Sequence, residues 1–170
     1  MKILKYVVLF ASLSFMVSCG GGEKKKEEKE SIKIRNTDSP KKESGNAVNI
    51  GLTGNDQMQY DKNEIRVKAG QEVTLTLRHV GKMELLVMGH NFVLLKEGVK
   101  IPDFAIEAGN AGPPKGWIPN DGKDVIAHTK MIGGGQSTSI TFTAPAAGTY
   151  DFICSFPGHW GVMKGKFIVE

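Results

Sequence analysis

Three side chains able to bind a soft metal ion fall within the ten residues Cys154-Ser155-Phe156-Pro157-Gly158-His159-Trp160-Gly161-Val162-Met163. Four residues separate the Cys154 thiol from the His159 imidazole, and three separate that imidazole from the Met163 thioether. A second imidazole, His90, stands far upstream in Met88-Gly89-His90-Asn91. Two His, one Cys and a weakly held Met are the donors of a blue-copper electron-transfer site, where one geometry suits Cu(I) and Cu(II) alike. Zinc accepts His, His and Cys but has little use for a thioether. A copper oxidoreductase needs further paired histidines, and the chain has four in all. A copper store or carrier tends to show Met-rich or His-rich tracts, which are absent. One bound copper ion and one-electron transfer without catalysis are the expectation.

Strands must position these donors. Tyr150-Asp151-Phe152-Ile153-Cys154 reads as a strand with Tyr150, Phe152 and Cys154 on one face. Pro157-Gly158 then turns the chain so that His159 returns to the same metal, and Met163 precedes a last strand over 164–169. Period-two alternation runs through 47–53, 64–68, 72–79 and 136–143. His90 to Leu95 and Val125 to Thr129 are further candidates. Such a set predicts an all-β, Greek-key, two-sheet antiparallel sandwich. Between Gly98 and Gly122 an excursion is expected, with two helical turns over Ile101 to Ala108 and a loop from Gly109 to Gly116.

The N-terminus addresses the chain elsewhere. Lys2 and Lys5 precede an apolar run, Tyr6 to Val17, too short for a permanent membrane span. Met16-Val17-Ser18-Cys19-Gly20 resembles a bacterial lipobox, which implies a signal peptide over 1–18 and a lipid on Cys19. Residues 19–45 read as a disordered tether, too polar to bury much surface. Such a coil reaches about 25–30 Å on root-mean-square average. With Cys19 lipidated, Cys154 is a single thiol in an exported protein, and metal ligation accounts for it. The formal charge of +4 misleads. Residues 23–44 hold eight Lys/Arg and six Asp/Glu, whereas residues 45–170 hold twelve of each. The domain over 46–170 is neutral, so nothing favours nucleic acid. A bacterial periplasmic or cell-surface lipoprotein is expected, with the outer membrane favoured because Gly20 stands where an inner-membrane retention Asp can occur.

At this point the chain resembles the azurins, within the cupredoxins, and the related auracyanins. The resemblance rests on Gly54-Asn55-Asp56-Gln57-Met58-Gln59-Tyr60, Val87-Met88-Gly89-His90-Asn91, Val125-Ile126-Ala127-His128-Thr129-Lys130, Cys154-Ser155-Phe156-Pro157-Gly158-His159 and Met163-Lys164-Gly165. With the lipobox it is similar to lipid-modified azurins. The resemblance implies His90, Cys154 and His159 as strong copper ligands, Met163 as the axial one, and the Gly89 carbonyl as a weak opposite contact. It places Asn91 and the backbone N–H of Phe156 around the sulfur. It puts His159 near the surface, ringed by a docking patch of Met58, Met88, Phe156 and Pro157, to which Trp160 is added here. It further implies a monomer exchanging electrons with redox proteins such as c-type cytochromes. His79, expected to be semi-buried and pH-responsive, and His128, expected on the surface, stay outside the ligand set. No Cys stands near Val48 or Gly70, where azurins carry a disulfide, and Phe92 stands in place of a core Trp.

Overall fold

Val73, Leu75 and Leu77 alternate with polar residues along 72–79, and that segment is the centre of one sheet. The computed structural model describes residues 46–170; the expected signal peptide, the tether and Cys19 lie outside the described residues. The smaller sheet has the order β1 (Ala47–Gly54), β3 (Glu72–His79), β6 (Ser137–Thr143). The larger has β2 (Glu64–Val67), β8 (Lys164–Val169), β7 (Gly148–Ile153), β4 (Val93–Leu95) and β5 (Val125–His128) in that spatial order. Inward-facing Val73, Leu75 and Leu77 are fully buried in one cluster with Phe92, Phe152 and Phe167. On the solvent face, Thr74 pairs its hydroxyl with Thr141 at 3.0 Å, and Thr76 with Ser139 at 2.8 Å. The alternation legible in the chain is thus the division between core and water.

The sandwich is mixed rather than antiparallel. β1 runs parallel to β3, and β2 parallel to β8. The chain crosses between sheets after β1 and again after β2, so these neighbours are joined by crossovers, which parallel pairs require. Alternation marks which face is buried and carries no information on strand direction.

β4 is shorter than the strand expected from His90 to Leu95. His90 exchanges backbone hydrogen bonds with Ile132 in an isolated bridge, both at 2.9 Å. The Phe92 N–H donates to the Thr129 hydroxyl at 2.9 Å instead of to a strand. Residues 90–92 are therefore held by side chains and single bridges, and the ladder starts at Val93.

All three residues of β4 are buried, because the larger sheet is covered on both faces. Leu94 and Phe152 point into the inter-sheet core, while Val93, Leu95 and Ile153 point to a second cluster under helix α2 (Ile101–Ala111). This helix opens with Pro102 in its first turn, a favoured place for a residue without an N–H, and buries Phe104, Ala105 and Ala108. It runs past Ala108 through Gly109 and Asn110, where a loop was expected. The chain leaves it only at Gly112, whose φ of +63° ends the helix and whose N–H closes on the Ala108 carbonyl. One-turn 3-10 helices at Pro113–Lys115 and Asn120–Gly122 fill the rest of the excursion. A one-turn helix α1 (Leu85–Met88) was not foreseen, since four apolar residues in a row show no period.

Candidate metal centre

The loop joining β7 to β8 folds on its own backbone. The Cys154 N–H donates to the Met163 carbonyl at 2.9 Å, so the two ends of the ten-residue segment meet. Pro157 and Gly158 occupy the middle of a tight turn closed by the His159 N–H on the Phe156 carbonyl at 3.0 Å. Gly158 has φ +82°, the left-handed value a type II turn needs at that position. A further turn returns the Met163 N–H to the His159 carbonyl at 2.8 Å. The expected turn geometry of this segment is what carries His159 back over Cys154.

His90 arrives from the stretch before β4. The donor atoms of His90, Cys154 and His159 all lie within 4.8 Å of one another. Cys154 Sγ stands 3.6 Å from His159 Nδ1, 4.0 Å from His90 Nδ1 and 3.7 Å from the Gly89 carbonyl oxygen. Nitrogen and sulfur donors bound to one first-row ion at about 2.0–2.3 Å, spread in a plane, stand about 3.8 Å apart. The two sulfur–nitrogen separations thus suit donors that share a single ion. His90 Nε2 bonds to the Asn55 carbonyl at 2.8 Å. A carbonyl only accepts, so Nε2 carries the proton and Nδ1 keeps its lone pair for a metal.

Two glycines make room. A Cβ on Gly89 would meet the Leu85 carbonyl oxygen at 2.5 Å and Phe156 Cδ2 at 3.0 Å. One on Gly54 would meet His90 Cδ2 at 2.7 Å and Met163 Cε at 3.3 Å. Met163 is fully buried in one cluster with Cys154 and Phe156, and its methyl shares the space above Gly54 with the His90 ring.

Burial sets the protonation of the donors. It pushes the Cys154 thiol up to about 11, against the backbone N–H groups of Asn91 and Phe156 and the Tyr60 hydroxyl, which favour the thiolate. It lowers His159 to about 4, helped by repulsion from His90 and His79, and lowers His90 against the pull of the Asn55 carbonyl. At neutral pH the centre therefore holds one thiol proton and two neutral rings.

The Asn91 side chain reaches Ser155 rather than the sulfur. Its Oδ1 accepts the Ser155 N–H at 2.9 Å, and its Nδ2 donates to Ser155 Oγ at 2.8 Å. The backbone N–H groups of Asn91 and Phe156 are the ones that face Cys154.

The other expected residues divide. His79 is fully buried, not semi-buried: it stacks on His90 with centroids 4.2 Å apart. Its Nε2 donates to the Met88 carbonyl at 2.8 Å, and its Nδ1 accepts the Gly81 N–H at 3.0 Å, which is the neutral ring fully satisfied. His128 is exposed and bonds Thr129. His159 is only 3% exposed, so it is covered rather than presented. Within the anticipated patch, Pro157 is exposed and Met58, Met88 and Trp160 are half-buried. Phe156 is buried between Trp117 and His159, at centroid distances of 5.1 and 4.7 Å. Trp160 packs partly against the second core cluster. Among the large apolar side chains that face water are Leu86 and Val87, just before Met88, and Val162, just before Met163.

The comparisons agree with this geometry. The model of the copper binding proteins, plastocyanin/azurin family, matches residues 46–170. Azurin-2 of Alcaligenes xylosoxydans xylosoxydans is 48% identical over 118 residues, covering 67% of this chain and 91% of that protein. Auracyanin-A of Chloroflexus aurantiacus is 38% identical over 124 residues, covering 72% and 74%. The solved structure of an auracyanin from Roseiflexus castenholzii superposes with a TM-score of 0.65 at 40% identity, over 72% of this chain and 96% of that one.

Proposed function

Since the chain belongs to the plastocyanin/azurin family of copper-binding proteins, we propose that it shuttles single electrons between redox proteins while held at a membrane by lipid on Cys19. The observation that carries the reading is the buried trio of His90, Cys154 and His159, preset around one point beside Met163. The trio fits one type 1 copper ion. Bound copper supplies a one-electron couple, and the surroundings of the sulfur tune its potential.

The chain's own part is to hold the donors still. His90 is braced by Asn55 and His79, and the Cys154 loop is tied to Asn91 through Ser155. A site that moves little between oxidation states exchanges electrons at small reorganisation cost. The four histidines of the chain are accounted for, two in the trio and two engaged elsewhere, which supports a carrier rather than an enzyme with a second copper. As a monomer the protein meets partners such as c-type cytochromes through apolar side chains of the donor loop, Pro157 and Trp160 among them. Among the described residues no helix is long and apolar enough to cross a membrane. The lipid on Cys19 would hold the domain in the periplasm or at the cell surface, at the outer membrane by preference.

The test is to titrate the chain from Gly45 onward with one equivalent of Cu(II) near pH 7. An intense visible band bleached by ascorbate and restored by an oxidant is expected, with release of close to one proton. The proton comes from Cys154, held protonated by its raised pKa of about 11, while the lowered histidines are already neutral. A missing band, with Cys154 still open to thiol reagents, would refute the carrier reading. For the anchor, Cys19→Ser moves the protein from the membrane pellet to the soluble fraction; retention in the pellet counts against the lipid.

A further inference from the structure

We propose that Tyr60 is a positioning residue that limits electron donation by the Cys154 sulfur, acting through the peptide of Asn91. This rests on the copper-carrier reading and goes beyond its ligand set. The Tyr60 hydroxyl donates to the Asn91 carbonyl oxygen. On the other side of the same peptide, the Phe92 N–H donates to Thr129 Oγ1 at 2.9 Å. The Asn91 side chain is held twice by Ser155. Every polar group of Asn91 but its own N–H is thereby tied to protein, and that N–H faces the Cys154 sulfur.

The loop 54–60 is built to bring this hydroxyl in. Gly54 and Tyr60 close it with a bridge, and Asn55 Oδ1 accepts the N–H groups of Gln57 and Gln59 at 3.0 and 3.1 Å. The same loop offers the Asn55 carbonyl to His90 Nε2. One loop therefore fixes two successive residues of the centre, His90 through a carbonyl and Asn91 through a phenol. The Tyr60 ring is seated by its neighbours, 5.8 Å from Phe152 by centroid and packed against both core clusters. A ring so placed needs no hydroxyl for packing, so the hydroxyl is separable from the fold.

The sign follows from the sulfur. Hydrogen bonds to a thiolate withdraw electron density from it. The oxidised metal needs that density more than the reduced metal does, so each such bond favours reduction. Removing the hydroxyl releases density and favours the oxidised state.

The experiment is Tyr60→Phe in the copper-loaded protein, with Tyr150→Phe as a control that removes a remote hydroxyl bonded to the Ala146 carbonyl. At a fixed ambient potential, Tyr60→Phe is expected to lower the ratio of reduced to oxidised copper several-fold, toward about tenfold, which is 59 mV for one electron. Its visible band moves to longer wavelength. In the metal-free protein, the Phe92 amide exchanges with solvent faster, while Tyr150→Phe matches wild type in all three measurements. A Tyr60→Phe potential equal to wild type overturns the proposal, even if stability has dropped. A wild-type protein with no reversible couple overturns the carrier reading and this one with it; a reversible wild type with an unmoved variant removes only the role of Tyr60.

Discussion

Cys154→Ser abolishes the intense visible band on addition of Cu(II) and weakens metal binding by more than the roughly 10–100-fold that follows loss of a residue supporting a ligand. The substitution exchanges one atom in a fully buried side chain. The backbone bond from residue 154 to the Met163 carbonyl does not involve that atom, so the loop keeps its closure. What disappears is the soft, polarizable donor that copper prefers in both oxidation states. A serine hydroxyl is not deprotonated under these conditions, which leaves two imidazoles and a thioether. The change is nearly isosteric in a packed cluster and leaves the backbone bonds in place, so the variant folds. Far-ultraviolet circular dichroism equal to wild type, together with a visible spectrum lacking the band, is the expected pair of readings. A persistent band would place the copper on other donors.

Asn91→Ala lowers the stability of the metal-free protein by about 2–6 kcal/mol. Asn91 is fully buried, and its amide is the clamp between the His90 stretch and the Cys154 loop. Deleting it strands the Ser155 N–H and hydroxyl, in surroundings that are 2% exposed. A buried polar group left without a partner costs about 1–3 kcal/mol, and two are left here. Urea unfolding of wild type and variant without metal measures the difference. Asn91→Asp keeps an acceptor for the Ser155 N–H and recovers part of it. A change under about 0.5 kcal/mol for Asn91→Ala would mean that solvent or a shifted loop replaces the clamp.

The sequence shows the metal donors more readily than their supports. Cys, His and Met at the spacing of 154–163 announce their chemistry because each donor is a side chain. The Asn55 carbonyl that fixes the His90 tautomer is backbone, and any residue type supplies one. The Tyr60 hydroxyl finds its acceptor 31 positions away, and no local pattern points there. His79 shows the same limit. Its burial follows from stacking on His90, a contact made only when the smaller sheet packs over residues 88–91. Strand β3 was plain because one of its faces meets water, so its alternation survives. β4 is buried on both sides and was legible as an apolar run, with its start misplaced by the side-chain bonds of residues 90–92. Helix α2 outran its expected end because Gly109 is tolerated in a final turn, and the stop comes only where Gly112 takes an extended backbone with positive φ that favours glycine.

Strand β8 lies between β2 and β7, and among the described residues it is the only strand paired with β2. Synthesis delivers β2 about one hundred residues before β8. A chain emerging from its N-terminus therefore carries β2 as an unpaired edge until residues 164–169 are free. Pairings so distant in sequence form slowly, and this one cannot be brought forward. The loop bearing Cys154, His159 and Met163 is threaded immediately before the strand that completes the sheet. The donors cannot be brought together before those last residues are available, and a half-made chain offers no finished place for a metal.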